Sequence, residues 1–281
     1  MNKAAGMTSH DAVNLVRKIF HTRKVGHGGT LDPLATGILP IAVGQATKFI
    51  EYIVDGSKTY RAEILFGVET DSGDVTGKIL RQAENFTLPK IDELNAATKN
   101  FIGQIEQSPP KFSAIKINGR KAYDLARKNI NFEMPRRLVT INQFKILRVD
   151  ENILTVEVDC EKGTYIRSLA VDFAKSFDLP ATLKSLNRIR VGKFFIDDAV
   201  TLDDLKISCE KILKPIDACL DFEIFNLPSY RVKAYKNGLP TNINAENKLV
   251  KVYGGENFLG VGKINGGELR SEKIFLQFNE K

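Results

Sequence analysis

Residues 139–177 read VTINQFKILRVDENILTVEVDCEKGTYIRSLAVDFAKSF, and their periodicity changes once. Val139–Val149 and Ile153–Cys160 are rich in β-branched residues and flank the turn-formers Asp150 to Asn152, which predicts an antiparallel hairpin. Beyond it Ile166, Leu169, Ala170, Phe173 and Phe177 recur at helical spacing, and the pattern stops before Pro180. A hairpin running into a helix, without regular β-α alternation, predicts an α+β fold around a mainly antiparallel mixed sheet.

Working outward, Lys58–Phe66 alternates: Tyr60, Ala62, Ile64 and Phe66 share one face, as in a half-buried strand. Ile91, Leu94, Ala97 and Phe101 propose a helix, and Asn118-Gly119 a turn between SAIKI and RKAYDLARK. Thr8 to Asp11 and Thr201 to Asp204 both match a T-x-x-D helix cap. From Phe222 to Phe278 short apolar runs (KLVKVY, FLGVGKI, KIFLQF) alternate with Gly-rich turns, which predicts a small β-barrel or sandwich. The expected organisation is a main domain over residues 1–220 and a small β domain over 221–281.

The 281 residues are 43% apolar and 27% charged, the make-up of a globular chain rather than a disordered or fibrous one. No apolar run approaches the ~20 residues that span a bilayer, and MNKAAGMTSHD is no secretion signal, so a cytoplasmic protein without membrane contact is expected. With 41 basic against 34 acidic side chains the net charge is +7. Residues 101–150 hold 10 Lys or Arg against 4 Asp or Glu, which suits either a polyanion such as nucleic acid or a solvated basic face. Cys160, Cys209 and Cys219 lack the close pairing of a zinc ribbon, and His10, His21 and His27 form no H-x-x-x-H pair, so no metal is expected. Neither glycine-rich phosphate motif can be fitted, which argues against a nucleotide cofactor.

The Gly- and Pro-dense stretch GHGGTLDPLATGILP, residues 26–40, is too apolar for a linker and too broken for one regular element. Within it Asp32 reads either as a turn or N-cap residue, the commoner case, or as a carboxylate held out of water by a distant cation. Arg167 reads as a surface arginine or as that cation. Tyr60 and Tyr165 read as core aromatics or as rings for a base, and His27 as a loop residue.

On these residues the chain resembles the bacterial tRNA pseudouridine-55 synthases, the TruB-type family, whose G-T-L-D-P core stands here at residues 29–33. Further matches are KAAGMTSHDAV (3–13), KTYRAEILFGVETDSGDVTG (58–77), PPKFSAIKINGRKAYDLAR (109–127), KGTYIRSLA (162–170) and LNRIRVGKF (186–194). The pattern departs at Ala4, where the family commonly has proline. The resemblance implies a pseudouridine synthase fold with a short PUA-like RNA-binding domain at residues 221–281. It implies Asp32 as the catalytic aspartate, Arg167 paired with it, and Tyr60 stacked on the target uracil. Tyr165 and Leu186 would line the pocket, and His27 would contact the extruded nucleotide or its loop. It further implies a cofactor-free isomerase acting on the T-stem-loop of tRNA with no obligatory protein partner, and the lack of a coiled-coil seam in the sequence leads us to expect a monomer. An RNA-folding helper and a guide-RNA-dependent relative acting on ribosomal RNA are the alternatives.

Overall fold

The computed structural model describes residues 1–128 and 130–276, with only the backbone at Glu210. Gln277 and Phe278, which end the last expected apolar run, lie outside the described residues. Contacts divide the chain into two compact units. The first holds Met1–Thr8, Leu31–Ile38 and Gly56–Ala199; the second holds Ser9–Thr30, Leu39–Asp55 and Val200 onward. The sequence expectation placed a single cut near residue 220, whereas these units interleave along the chain.

The first unit is built on an eight-stranded sheet. Its strands are β1 (Asn2–Lys3), β2 (Thr36–Ile38), β3 (Lys58–Phe66), β4 (Gly103–Gln107), β5 (Arg137–Asp150), β6 (Ile153–Cys160), β7 (Ala181–Val191) and β8 (Phe194–Phe195). The order is β1-β2-β7-β3-β6-β5-β4, with β8 on β7. Only β2 and β7 run parallel, so the sheet is mixed but mainly antiparallel. The β5–β6 hairpin closes with Asp150 opposite Ile153.

Alternation on β6 buries Leu154, Val156 and Val158 on one face. The helix Ile166–Lys175 buries the predicted stripe of Ile166, Leu169, Ala170 and Phe173. Phe177, on the same stripe, lies past the helix end, but its ring still meets Phe173 edge-on at 5.5 Å, while Phe144 packs on Phe173 from β5 at 5.1 Å. Burying such rings contributes about 1.5–3 kcal/mol each, which outweighs any propensity term in this segment. Asn118 and Gly119 both take positive φ, 49° and 81°, as a type I′ hairpin requires. Of SAIKI, only Lys116–Ile117 are strand.

Where β2 meets β7, Gly37 has φ +100°, and a Cβ there would lie 2.3 Å from the Arg188 carbonyl. Only glycine permits this parallel contact, which sets the end of the Asp32 loop against β7.

In the second unit the helix Ser9–Ile19 buries Ala12, Val13 and Val16, and Val25–His27 pairs antiparallel with Ile41–Val43. Thr201 opens the helix Leu202–Ile212 with the expected capping box: Asp204 N–H donates to Thr201 Oγ1 at 3.2 Å and Thr201 N–H to Asp204 Oδ2 at 2.8 Å. A curled five-stranded sheet follows, with strands Glu223–Asn226, Thr241–Asn242, Lys248–Gly254, Asn257–Asn265 and Glu268–Ile274. Its core gathers Leu227, Tyr235, Val250, Val252, Leu259, Ile264 and Leu269. Phe49 packs with Leu220, Phe258 and Val261, which ties an early segment to the late strands and explains the interleaving. Among the described residues no helix is long and apolar enough to cross a membrane.

Candidate active site

The Asp32 loop is pinned at its base. Ala35 N–H donates to the Asp32 carbonyl at 3.0 Å, and Gly6 N–H to the Pro33 carbonyl at 2.9 Å. Beneath it the Lys3 ammonium, 0% exposed, donates to the carbonyls of Ala4 and Met7, both at 2.8 Å. Burial lowers the Lys3 pKa, and the Asp32 charge opposes that fall.

Arg167 sits in the first turn of the Ile166–Lys175 helix, 5% exposed, and its Nη2 reaches Asp32 Oδ2 at 2.9 Å. Nη1 donates to the Ser72 carbonyl at 2.8 Å and Nη2 to the Phe112 carbonyl at 2.9 Å. Nη1 also faces a second acid, Asp74 Oδ2, at 3.7 Å. Asp74 is buried, and its Oδ1 accepts from Ser72 Oγ at 3.0 Å and Thr76 N–H at 2.9 Å. The guanidinium is thus aimed by two fixed carbonyls and shared by two carboxylates, one sealed in a turn and one, Asp32, 39% exposed.

Burial raises the Asp32 pKa above the ordinary carboxylate range. Arg167 and Lys3 pull it down and Asp74 pushes it up, but burial prevails. Chemistry that needs the ionised form should therefore lose rate on the acid side, with a midpoint above that of a free aspartate. Asp74→Asn removes a charge that holds the Asp32 pKa up, so its acid limb should move to lower pH. A pH–rate profile of the two proteins under single-turnover conditions checks the direction of the move.

Tyr60 on β3 lies opposite Arg188 on β7, and Leu186 lies opposite Ala62, which puts Tyr60, Leu186 and Arg188 on one face of the sheet. Arg188, 1% exposed, donates Nε to the Ile38 carbonyl at the end of β2 at 2.8 Å. Tyr60 is 8% exposed, and burial raises its hydroxyl pKa. Tyr60 is thus counted with the core and is nearly out of water. Thr36 Oγ1 donates to the Leu186 carbonyl at 3.4 Å, linking β7 to the strand that leaves the Asp32 loop.

Tyr165 immediately precedes the helix, two residues before Arg167, and the Arg137 guanidinium lies 4.7 Å from its ring centroid. Asp32 and Arg167 are thus in contact, Tyr60 and Leu186 share a sheet face, and Tyr165 adjoins Arg167 in the chain. His27 lies in the second unit, opposite Ile41. Sequence reasoning did not single out Lys3, Asp74 or Arg188, although each stands inside a quoted motif. Charged side chains are rarely fully buried, and only the structure shows that these three are. Among the described residues no group of three or more His, Cys, Asp or Glu could hold a metal. Burial pushes the Cys160 thiol up to about 12, so it is inert near neutral pH.

A buried arginine that clamps a half-open carboxylate beside a sheet-borne tyrosine fits a side-chain-catalysed reaction, and comparison with known proteins identifies the class. Residues 17–166 match the model of the TruB family pseudouridylate synthases, N-terminal domain. The chain belongs to this family, and pseudouridine synthases are isomerases. It is 39% identical to a protein named tRNA pseudouridine synthase B from Caldanaerobacter subterraneus subsp. tengcongensis, over 97% of this chain and 96% of that one. A protein of the same name from Clostridioides difficile is 38% identical over 98% and 97% of the two chains. Among solved structures, a chain in a Cbf5-Nop10-Gar1 complex superposes with a TM-score of 0.75 at 23% identity, over 98% of this chain and 83% of that one. A chain in an H/ACA ribonucleoprotein bound to a substrate RNA gives 0.72 at 21% identity, over 99% and 84%. At such identities the likeness concerns the fold alone.

Proposed function

We propose that this chain converts a uridine of tRNA, position 55 in the T-loop, into pseudouridine, in the cytoplasm and without a cofactor or protein partner. Relatives named tRNA pseudouridine synthase B, near 38% identity over almost the whole chain, support the substrate class. The observation that carries the chemistry is the Asp32 carboxylate held at 2.9 Å by Arg167. In the reaction the N1–C1′ bond breaks, the uracil turns, and a C5–C1′ bond forms, while C5 loses a proton and N1 gains one. Atoms and electrons balance within the nucleotide. Asp32 either adds to the nucleoside or takes a proton from its sugar, and in both cases it acts as the anion that Arg167 favours.

A stacked uridine must leave its loop to reach Asp32. Unstacking costs a few kcal/mol, and stacking on Tyr60, worth about 1–3 kcal/mol, would offset part of it. Leu186 and Tyr165 would line the pocket, and His27 would hold the extruded nucleotide or its loop. Exposed Lys111, Lys116, Arg120, Lys121, Arg127 and Lys128 would take phosphates. Tyr123, with Lys121 at 5.6 Å and Arg127 at 5.4 Å from its ring, would keep two of these cations together. Affinity should then fall steeply with salt. Lys116→Ala and Arg120→Ala should each lower the log–log salt slope by about 1 without changing the saturated rate, as filter binding across a salt series reads directly.

The reading is tested by incubating pure protein with an unmodified tRNA transcript and mapping pseudouridine chemically. One modified position, abolished when the T-loop uridine is replaced by cytidine, is expected. Modification that survives the replacement contradicts it.

A further inference from the structure

Tyr165 is held by more than its place in the chain. The Gln107 side chain, 1% exposed at the end of β4, accepts from Tyr165 N–H at 2.8 Å and donates to the Tyr165 carbonyl at 3.0 Å. That carbonyl also accepts the first helical bond, from Leu169 N–H at 3.0 Å. Tyr165 is the N-cap of the helix, so its N–H is one of the first four that a helix start leaves without an internal partner. A primary amide meets both needs at once, because it carries an acceptor and a donor side by side, as a neighbouring strand would.

Gln107 is directly opposite Arg137 in the β4–β5 ladder. Arg137 is the residue whose guanidinium lies on the Tyr165 ring, and it donates to the Gly163 carbonyl just upstream. One cross-strand pair therefore brackets Tyr165, the amide gripping its backbone and the guanidinium its ring. Ser168 Oγ adds a bond to the Ser108 carbonyl at 2.7 Å, so the residue after Gln107 also holds the first turn.

We propose that Gln107 is a positioning residue for pseudouridine formation, acting through Tyr165 rather than by touching the nucleotide. The proposal rests on the reading that Tyr165 lines the reacting pocket. Gln107→Leu removes both bonds with little change of volume, and Gln107→Glu keeps the acceptor for Tyr165 N–H but loses the donor. At saturating protein, Gln107→Leu should lower the single-turnover rate by about 10-fold to 10²-fold, with Gln107→Glu between it and wild type and RNA affinity unchanged in both. In a Tyr165→Ala background the further loss on Gln107→Leu should vanish. A wild-type rate in Gln107→Leu, a loss that falls on affinity instead, or an equal loss without the Tyr165 ring would each overturn the proposal. If the leucine variant does not fold, the glutamate variant carries the same comparison. Hydrogen exchange at the Tyr165 amide reads the clamp without turnover: it should quicken in Gln107→Leu, and unchanged exchange overturns the proposal even if wild type made no pseudouridine, which would instead sink the functional reading.

Discussion

Arg167→Lys is expected to bind tRNA nearly as well as wild type and to form pseudouridine about 10²-fold more slowly. The arginine makes four contacts from two nitrogens: Asp32, Asp74 and the carbonyls of Ser72 and Phe112. A lysine ammonium keeps the charge but is a single point without the planar fork, and it cannot satisfy two carbonyls and two carboxylates in these directions. The Asp32 carboxylate then loses its fixed orientation and part of its charge stabilisation. Rapid-quench kinetics with saturating protein, alongside a binding isotherm, separates the two effects. A rate loss matched by an equal affinity loss would show that Arg167 serves RNA docking instead.

Asp32→Asn is expected to retain RNA binding and the fold while losing at least about 10²–10⁴-fold in rate, the usual contribution of a positioned acid–base group. It should also melt higher than wild type at neutral pH. Folding raises the Asp32 pKa; such a group is best tolerated when protonated. Its contribution to stability is fully present below the unfolded-state pKa and is lost as pH rises through the higher folded value. At neutral pH the charge is therefore a burden that asparagine removes, while Asp74 continues to face Arg167. The gap between the melting curves should close in acid, as calorimetry over a pH series would record. A lower melting point for Asp32→Asn at neutral pH would mean that the Arg167 pair outweighs burial.

What could be foreseen from the chain alone followed the range of the forces involved. The β5–β6 hairpin, the Ile166–Lys175 helix and the Thr201 cap are products of local periodicity and turn chemistry, and they emerge within a residue or two of expectation. Phe177 kept its place on the apolar stripe although the helix stops at Lys175, because burial against Phe173 does not need helical backbone. The interleaving of the two units could not be foreseen: Phe49 meets Leu220, Phe258 and Val261 through tertiary packing that leaves no mark in local spacing. The same holds for Asp32 and Arg167. The residues alone left their pairing as one of two readings, and family resemblance favoured it, since no spacing rule connects a loop acid to a helix so far along the chain. Asp74 was disguised by its setting, a Ser-Gly-Asp turn in which an acid normally caps the backbone, and here it caps the turn with one oxygen while turning the other to Arg167.

The most direct measurement is single-turnover conversion of an unmodified tRNA transcript by wild-type protein and by Asp32→Asn, both at concentrations that bind all the RNA. One pseudouridine per tRNA, at the T-loop uridine, is expected from the wild type, and bound but unchanged RNA from the variant. Product formed by Asp32→Asn at a rate near that of the wild type would contradict this expectation.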